Sequence, residues 1–295
     1  MQRREILRIA PAAALGWAAP PPVRAAPGKT VKVLYFTRSA GFEHSVVRRK
    51  GAELSHSEKA LAEMGRRAGF EVECTKDGRV FDGSLDAYDL IAFYTTGDLT
   101  RKAQDGSPAM TAQGKRRLLE AVAAGTGFVG FHSATDTFHS RGPRNQNQAE
   151  VDPYIAMLGG EFLAHGPQQE ASLILTSRFP GAGQLGMAEG ISFTDEWYTF
   201  KNFRADLHVI LVQETQMMRG DCYRRPDFPA TWARRHGQGR VFYTSLGHRE
   251  EVWTNPFFQA IALGGIAWAM GRADFDIQPN LDEVTPQAGQ LQRAS

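Results

Sequence analysis

Three histidines stand at or just past short apolar segments of the chain, where functional side chains of parallel sheets are often found. His44 and His248 each follow such a segment, and His132 ends the run at residues 127–132. If these segments are neighbouring parallel strands, their carboxyl ends share the sheet edge at which ligands bind. Imidazoles act as acids or bases near neutral pH and also ligate metals. The pattern predicts a functional site there, with His44, His132 and His248 as candidate ligands for Zn or Mn.

One of these histidines lies within a recognisable turn motif. Gly130 and Ala134 flank His132 at two residues on either side, as in the G-x-Nu-x-G/A elbow that forces one side chain into a cleft. Histidine at the apex suits a general base or a metal ligand better than a covalent nucleophile. Ser133 stands one position off the apex, so we discount it as the nucleophile.

Several further polar and aromatic residues are predicted to bind substrate. Aromatic faces commonly cover sugar rings, and carboxylates bind hydroxyl groups or transfer protons. No G-x-G-x-x-G phosphate loop follows the first strand. The predicted substrate-binding residues are His44, Asp98, His165, Asp195, Glu196 and Trp197.

Apolar strand-length runs alternate with amphipathic segments in the first half of the chain, which predicts βαβ units. We expect a single α/β domain over residues 26–275, flavodoxin-like, with a mostly parallel sheet covered by helices on both faces. The polar stretch at 135–152 is predicted to be a long functional loop. The tail at 276–295 is polar and expected to be frayed. The predicted strands are 31–37, 70–75, 90–94, 127–132, 170–176, 209–213, 231–235 and 240–244, and the predicted helices are 45–68, 111–124 and 256–270.

The charge balance and the N-terminal sequence indicate where the protein is located and what it can bind. Lys and Arg number 34 against 32 Asp and Glu, a balance that excludes a strongly basic nucleic-acid binder. Residues 1–25 combine the pair Arg3-Arg4, a weakly apolar run and a cleavage site after Ala25, which predicts a twin-arginine (Tat-like) export signal. We therefore expect a periplasmic or secreted protein with no membrane anchor after cleavage. Cys74 and Cys222 are too few for a disulfide framework.

Taken together, these motifs resemble the trehalose-utilisation (ThuA-like) family, from residue 31 to residue 271. The resemblance implies a class I glutamine-amidotransferase-like fold and a role in the metabolism of trehalose or related glycosides, in their 3-keto form. Amidotransferases have a cysteine at the elbow, and this chain has His132, so a cysteine-dependent glutaminase is excluded. The polar loop at 140–152 replaces residues that are usually aromatic in relatives, which leaves the identity of the sugar open. The stretches that carry the resemblance are 33–44, 93–99, 127–138, 158–165, 193–200 and 239–248.

Two functions follow from the resemblance. The first is an enzyme that cleaves or isomerises a glycoside or its 3-keto derivative, with metal assistance as an option; the second is a non-catalytic sugar-binding or accessory module. The density of titratable groups favours the enzyme. The expected partner is a small sugar, no nucleic acid is expected, and a homo-oligomer stays open. The roles assigned are His132 as base, His248 backed by Glu250 as acid, His44 and Asp136 as ligands of a metal or an enediolate, and Trp197 as a ring platform.

Overall fold

The computed structural model describes residues 6–7, 31–182 and 190–292. The predicted export signal at 1–25 therefore lies outside the described residues, apart from one two-residue strand. Within these ranges the chain forms twelve strands and six α-helices. The strands are β1 (Ile6–Leu7), β2 (Lys32–Phe36), β3 (Glu71–Thr75), β4 (Leu90–Phe93), β5 (Gly127–Phe131), β6 (Glu161–His165), β7 (Gln169–Leu175), β8 (Gly190–Asp195), β9 (Tyr198–Lys201), β10 (His208–Gln213), β11 (Phe228–His236) and β12 (Gly239–Thr244). The helices are α1 (His56–Ala68), α2 (Ala112–Ala124), α3 (Pro153–Leu158), α4 (Glu250–Thr254), α5 (Pro256–Ala269) and α6 (Leu281–Val284).

Ten of the described strands form one large sheet in the order β1-β8-β7-β10-β11-β12-β5-β4-β2-β3, and β6 pairs with β9 separately. From β12 to β3 all neighbours run parallel. From β12 to β8 the neighbours run antiparallel. The predicted α/β class is confirmed, and the sheet is a parallel half extended by an antiparallel half. The parallel half matters for function because its strands end at one edge.

Helices cover both faces of the parallel half, as predicted. Successive residues of β2 point to opposite sides: Val33 and Tyr35 join one apolar cluster, and Leu34 and Phe36 join the other. The first cluster is closed by α1 and α5, the second by α2 and α3. Burying a side chain of this size contributes roughly 1.5–3 kcal/mol. The strand ends are therefore held on a rigid, doubly covered support.

The predicted helix at 45–68 begins later than expected. A short 3-10 helix, Ser45–Val47, comes first, and α1 begins after the N-cap residue Ser55. Ser55 and Glu58 form a capping box, in which each side chain accepts a hydrogen bond from the other's backbone N–H. Glu58 also accepts two hydrogen bonds from Arg49, at 2.8 Å each. These bonds hold the segment before α1 outside the helix, which corrects the prediction.

The C-terminal tail is not frayed over its described part. Asn280 accepts a hydrogen bond from the backbone of Val209 at 2.6 Å. Leu281 and Ala288 are buried against the second apolar cluster. Arg225 donates to the Ala288 carbonyl at 2.7 Å. The tail therefore packs onto the domain through residue 288, because a few apolar residues among the polar ones provide the contact.

Two smaller features concern the cysteines and the helices. Cys74 and Cys222 are free thiols, and burial raises the pKa of Cys74 to about 12, so this thiol stays protonated at neutral pH. Among the helices of the described ranges, none has the length and hydrophobicity needed to span a membrane.

Candidate functional site

Three imidazoles and one carboxylate converge at the carboxyl edge of the parallel strands. One ligand-type atom from each of His44, His132, Glu196 and His248 lies within 4.8 Å of all the others; these four residues are called the cluster below. Glu196 Oε2 is 3.1 Å from His248 Nδ1 and 3.5 Å from His132 Nε2. The same oxygen is 4.0 Å from His44 Nε2. The three histidines predicted to meet at this edge therefore do so.

The elbow at the end of β5 places His132 in the cluster. Its φ of 40° lies in the left-handed region, the strained conformation expected of an elbow apex. A Cβ at Gly130 would lie 3.0 Å from Tyr243 and 3.1 Å from Ala134, so only glycine fits without displacement. The Tyr243 hydroxyl donates to the His132 carbonyl at 2.6 Å and fixes the turn. The elbow predicted from the spacing is present.

The hydrogen bond made by Nδ1 sets the tautomer of His132. Nδ1–H donates to the Ser245 carbonyl oxygen at 2.7 Å, because a carbonyl can only accept. The neutral ring therefore turns the lone pair of Nε2 toward the cluster, where His248 Nδ1 is 3.3 Å away. A backbone carbonyl that orients the far nitrogen is the usual support of a metal-ligating histidine.

His44 is buried and remains neutral at physiological pH. It precedes the 3-10 helix Ser45–Val47 and is 2% exposed. Burial, reinforced by the neighbouring imidazoles, holds the pKa of His44 well below its usual range. Its Nδ1 has no hydrogen-bond partner, and its Nε2 lies 3.4 Å from the Tyr198 hydroxyl. A buried neutral imidazole whose Nε2 faces the Glu196 carboxylate suits metal ligation.

The loop that carries His248 is fastened by a buried carboxylate. Asp195 accepts hydrogen bonds from the backbone N–H of Gly247 at 2.9 Å and of Arg249 at 3.0 Å. The residue is fully buried, and burial raises the pKa of its carboxyl. Asp195 was predicted to bind substrate. It lies instead behind the loop that carries His248, and its two hydrogen bonds hold this loop against the cluster.

Glu196 is the acidic centre of the cluster. Burial alone would raise the pKa of Glu196, but the adjacent imidazoles of His132 and His248 outweigh it and hold the pKa well below its usual range. The side chain is 11% exposed. It is therefore a carboxylate at all physiological pH values, and it balances positive charge brought into the site.

A fourth histidine lies at the outer rim of the cluster. The His165 side chain is 46% exposed, and its Nδ1 lies 3.4 Å from Glu196 Oε1. Nδ1–H donates to the Gly166 carbonyl at 3.0 Å, which makes Nε2 the unprotonated nitrogen of the neutral ring. The ring stacks on Tyr198 with centroids 6.0 Å apart. Of the imidazoles in the cluster and at its rim, this one is the most exposed to solvent.

Two predicted residues lie outside the cluster, on the loops after β4 and β5. Asp136 pairs with His139 at 2.7 Å, and His139 also contacts the buried Glu161 at 3.1 Å. Burial would lower the pKa of His139, but these hydrogen bonds outweigh it and raise the pKa to about 9. Asp98 bonds to Thr100 within its own turn, at 2.6 Å. Neither Asp98 nor Asp136 belongs to the ligand group of the cluster.

Two other predictions are corrected by the side-chain positions. Glu250 is exposed on the first turn of α4, and the carboxylate that contacts His248 is Glu196. Trp197 is fully buried, and its Nε1–H donates to the Gln169 carbonyl at 2.7 Å. A ring without exposed surface cannot cover a sugar, so Trp197 is a core residue.

Sequence reasoning missed three residues around the site. Tyr198 contacts the rings of His44 and His132 through its hydroxyl and its face, respectively. His139 organises the acidic pair beside the site, and Phe42 is exposed next to the cluster. One signal in the sequence could have indicated these residues. Phe42 and Tyr198 lie within stretches that resemble the family, and His139 lies directly beside one.

The comparisons with known proteins agree with this fold. The family model described as ThuA, trehalose utilisation, matches residues 32–269. A putative ThuA-like protein of Bacteroides uniformis superposes with a TM-score of 0.57 at 18% identity, over 88% of this chain and 99% of that one. A putative ThuA-like protein of Parabacteroides merdae gives 0.53 at 18% identity, over 84% and 93%. None of the curated proteins matches the chain. The resemblance inferred from the motifs is thus confirmed, and the chain belongs to the ThuA family of trehalose utilisation.

Proposed function

We propose that this protein is a metal-dependent enzyme of carbohydrate catabolism that acts on a 3-keto glycoside. The observation that carries the proposal is the convergence of three imidazoles and one carboxylate within 4.8 Å at the carboxyl edge of the sheet. The family description, trehalose utilisation, supports a sugar as substrate.

The donor set fits a divalent transition metal. His44, His132, His248 and Glu196 offer nitrogen and oxygen ligands of the kind that zinc takes in proteins. The supports are also in place, since Ser245 orients His132 and Asp195 fastens the loop of His248. When bound, the cation would act as a Lewis acid and polarise a carbonyl oxygen of the sugar.

The proton transfers then fall to a residue outside the ligand set. A ketone acidifies the neighbouring C–H, so cleavage can proceed by removal of that proton followed by loss of the alcohol β to the ketone. His132 was predicted as the base, but its Nε2 faces Glu196 and His248 inside the cluster. His165 is half exposed, has its free nitrogen set by the Gly166 carbonyl, and is 3.4 Å from Glu196. We assign both proton transfers to His165, whose Nε2 takes the proton from carbon and returns it to the oxygen of the departing alcohol.

The test is turnover by the metal-loaded protein. Trehalose and 3-keto-trehalose are incubated with the wild type and the products are identified. We expect cleavage of the keto sugar only. His165→Gln should lose roughly 100-fold in kcat or more, the range of a general base, while keeping its metal.

The matched control is His236→Gln, because His236 ends β11 at the opposite edge of the sheet. It should keep wild-type turnover. Sugar binding without turnover, at full metal content, would contradict the enzyme and support the sugar-binding module instead.

A further inference from the structure

Phe42 is an exposed aromatic residue beside the cluster. It is 67% exposed, and Met217 is the other large hydrophobic residue exposed in the part of the chain described. Its ring stands perpendicular to that of His44, with centroids 5.0 Å apart. Leaving a phenyl ring in water forgoes the favourable free energy of its burial. The position suggests a ligand that covers this ring when it reaches the cluster.

The backbone presents Phe42 rigidly. Its carbonyl accepts a hydrogen bond from the Thr96 hydroxyl at 2.7 Å. The preceding residue, Gly41, packs so closely on Gly97 that a Cβ on Gly97 would come within 2.6 Å of the Gly41 nitrogen. On the other side, the Glu43 carboxylate accepts from Lys76 at 3.0 Å and from Arg48 at 3.1 Å. Both neighbours are thus fixed, so the backbone at Phe42 is already ordered before a ligand covers the ring.

We propose that Phe42 is the platform on which a pyranose ring of the substrate packs while its oxygen-bearing edge faces the cluster. A pyranose with equatorial hydroxyls has an apolar face of C–H groups and a polar edge, which matches a phenyl face next to imidazoles and a carboxylate. The inference rests on the proposed function and specifies the substrate as a closed-ring glycoside. It also gives Phe42 the role expected of Trp197, whose ring is buried.

The experiment compares Phe42→Ala with Phe42→Trp, and Met217→Ala serves as the control for loss of an exposed apolar side chain. Trehalose binding is measured by calorimetry, and KM and kcat are measured with 3-keto-trehalose. We expect Phe42→Ala to raise both Kd and KM about tenfold, with kcat within about threefold of the wild type. Phe42→Trp and Met217→Ala should keep wild-type affinity, and all variants should keep the same metal content.

The outcomes separate the inference from the proposed function. Turnover of the keto sugar at an unchanged KM in Phe42→Ala would overturn the inference and leave the proposed function standing. Absence of turnover, together with tenfold weaker trehalose binding in Phe42→Ala, would overturn the enzyme and leave the inference standing. Failure of the wild type to bind either sugar would overturn the inference.

Discussion

The Asp195→Asn substitution tests how the site is built, because both carboxylate oxygens of Asp195 accept hydrogen bonds from the backbone of the loop that carries His248. Oδ2 accepts from Gly247 N at 2.9 Å and Oδ1 accepts from Arg249 N at 3.0 Å. Asparagine has nearly the same shape, but its NH₂ group would face one of these N–H donors. One hydrogen bond is lost and a buried N–H is left unpaired.

The magnitude follows from these two contacts. A hydrogen bond to a charged group contributes about 1.5–3 kcal/mol, and an unpaired buried donor costs about 1–3 kcal/mol. Burial raises the pKa of Asp195, which shows that the carboxylate itself is costly to bury and offsets part of the loss. We expect the free energy of unfolding to fall by about 2 kcal/mol. For a protein of this size the melting temperature should fall by about 4–8 °C.

Metal affinity should fall as well, because the substitution loosens His248 without removing a ligand. Changes to groups that orient metal ligands typically cost about 10–100-fold in affinity. Unfolding in urea and calorimetric titration with Zn²⁺ measure the two effects. The control is Asp206→Asn, since Asp206 pairs with Arg234 at the other edge of the sheet and is 47% exposed. Wild-type metal affinity and stability in Asp195→Asn would show that Asp195 does not hold the loop of His248 in place.

Two further predictions concern pH and export. The pKa of His139 is raised to about 9 by Asp136 and Glu161, so its contribution to stability is present below the unfolded value of about 6.5 and is lost as pH rises through 9. Urea midpoints between pH 6 and 9.5 should therefore fall less in His139→Gln than in the wild type, and parallel curves would contradict this. We also propose that residues 1–25 direct export, so N-terminal sequencing of the periplasmic protein should begin at Ala26 and exchange of both arginines of the pair for lysine should retain the precursor in the cytoplasm. Unprocessed wild-type protein in the cytoplasm would contradict the signal.

Features that depend on neighbouring residues could be predicted from the sequence. The buried strands appear as continuous apolar runs because the sheet is covered on both faces, as in LIAF of β4 and GFVGF of β5. The elbow could be predicted because its small residues, Gly130 and Ala134, are required by the local turn. The direction of the strands in the antiparallel half could not be predicted, because it depends on how segments distant in the sequence pair.

Features that depend on long-range packing could not be predicted. Asp195, Glu196 and Trp197 are consecutive, yet the first bonds to a backbone loop, the second enters the cluster and the third enters the core. The direction in which each of these three side chains points depends on how the chain turns between β8 and β9. The sequence therefore favoured Glu250 as the partner of His248, because it is near in the chain, whereas Glu196 is near in space.

The proposed function requires that His44, His132, His248 and Glu196 hold one divalent metal ion. Metal analysis and titration with Zn²⁺ and Mn²⁺ test this on the protein purified without chelator, beside Glu196→Gln and the control His236→Gln. We predict about one equivalent in the wild type and in the control, as expected for one four-ligand site, and a clearly lower affinity in Glu196→Gln. Less than about a tenth of an equivalent of metal in the wild type, with no binding on titration, would show that these four residues do not form a metal site.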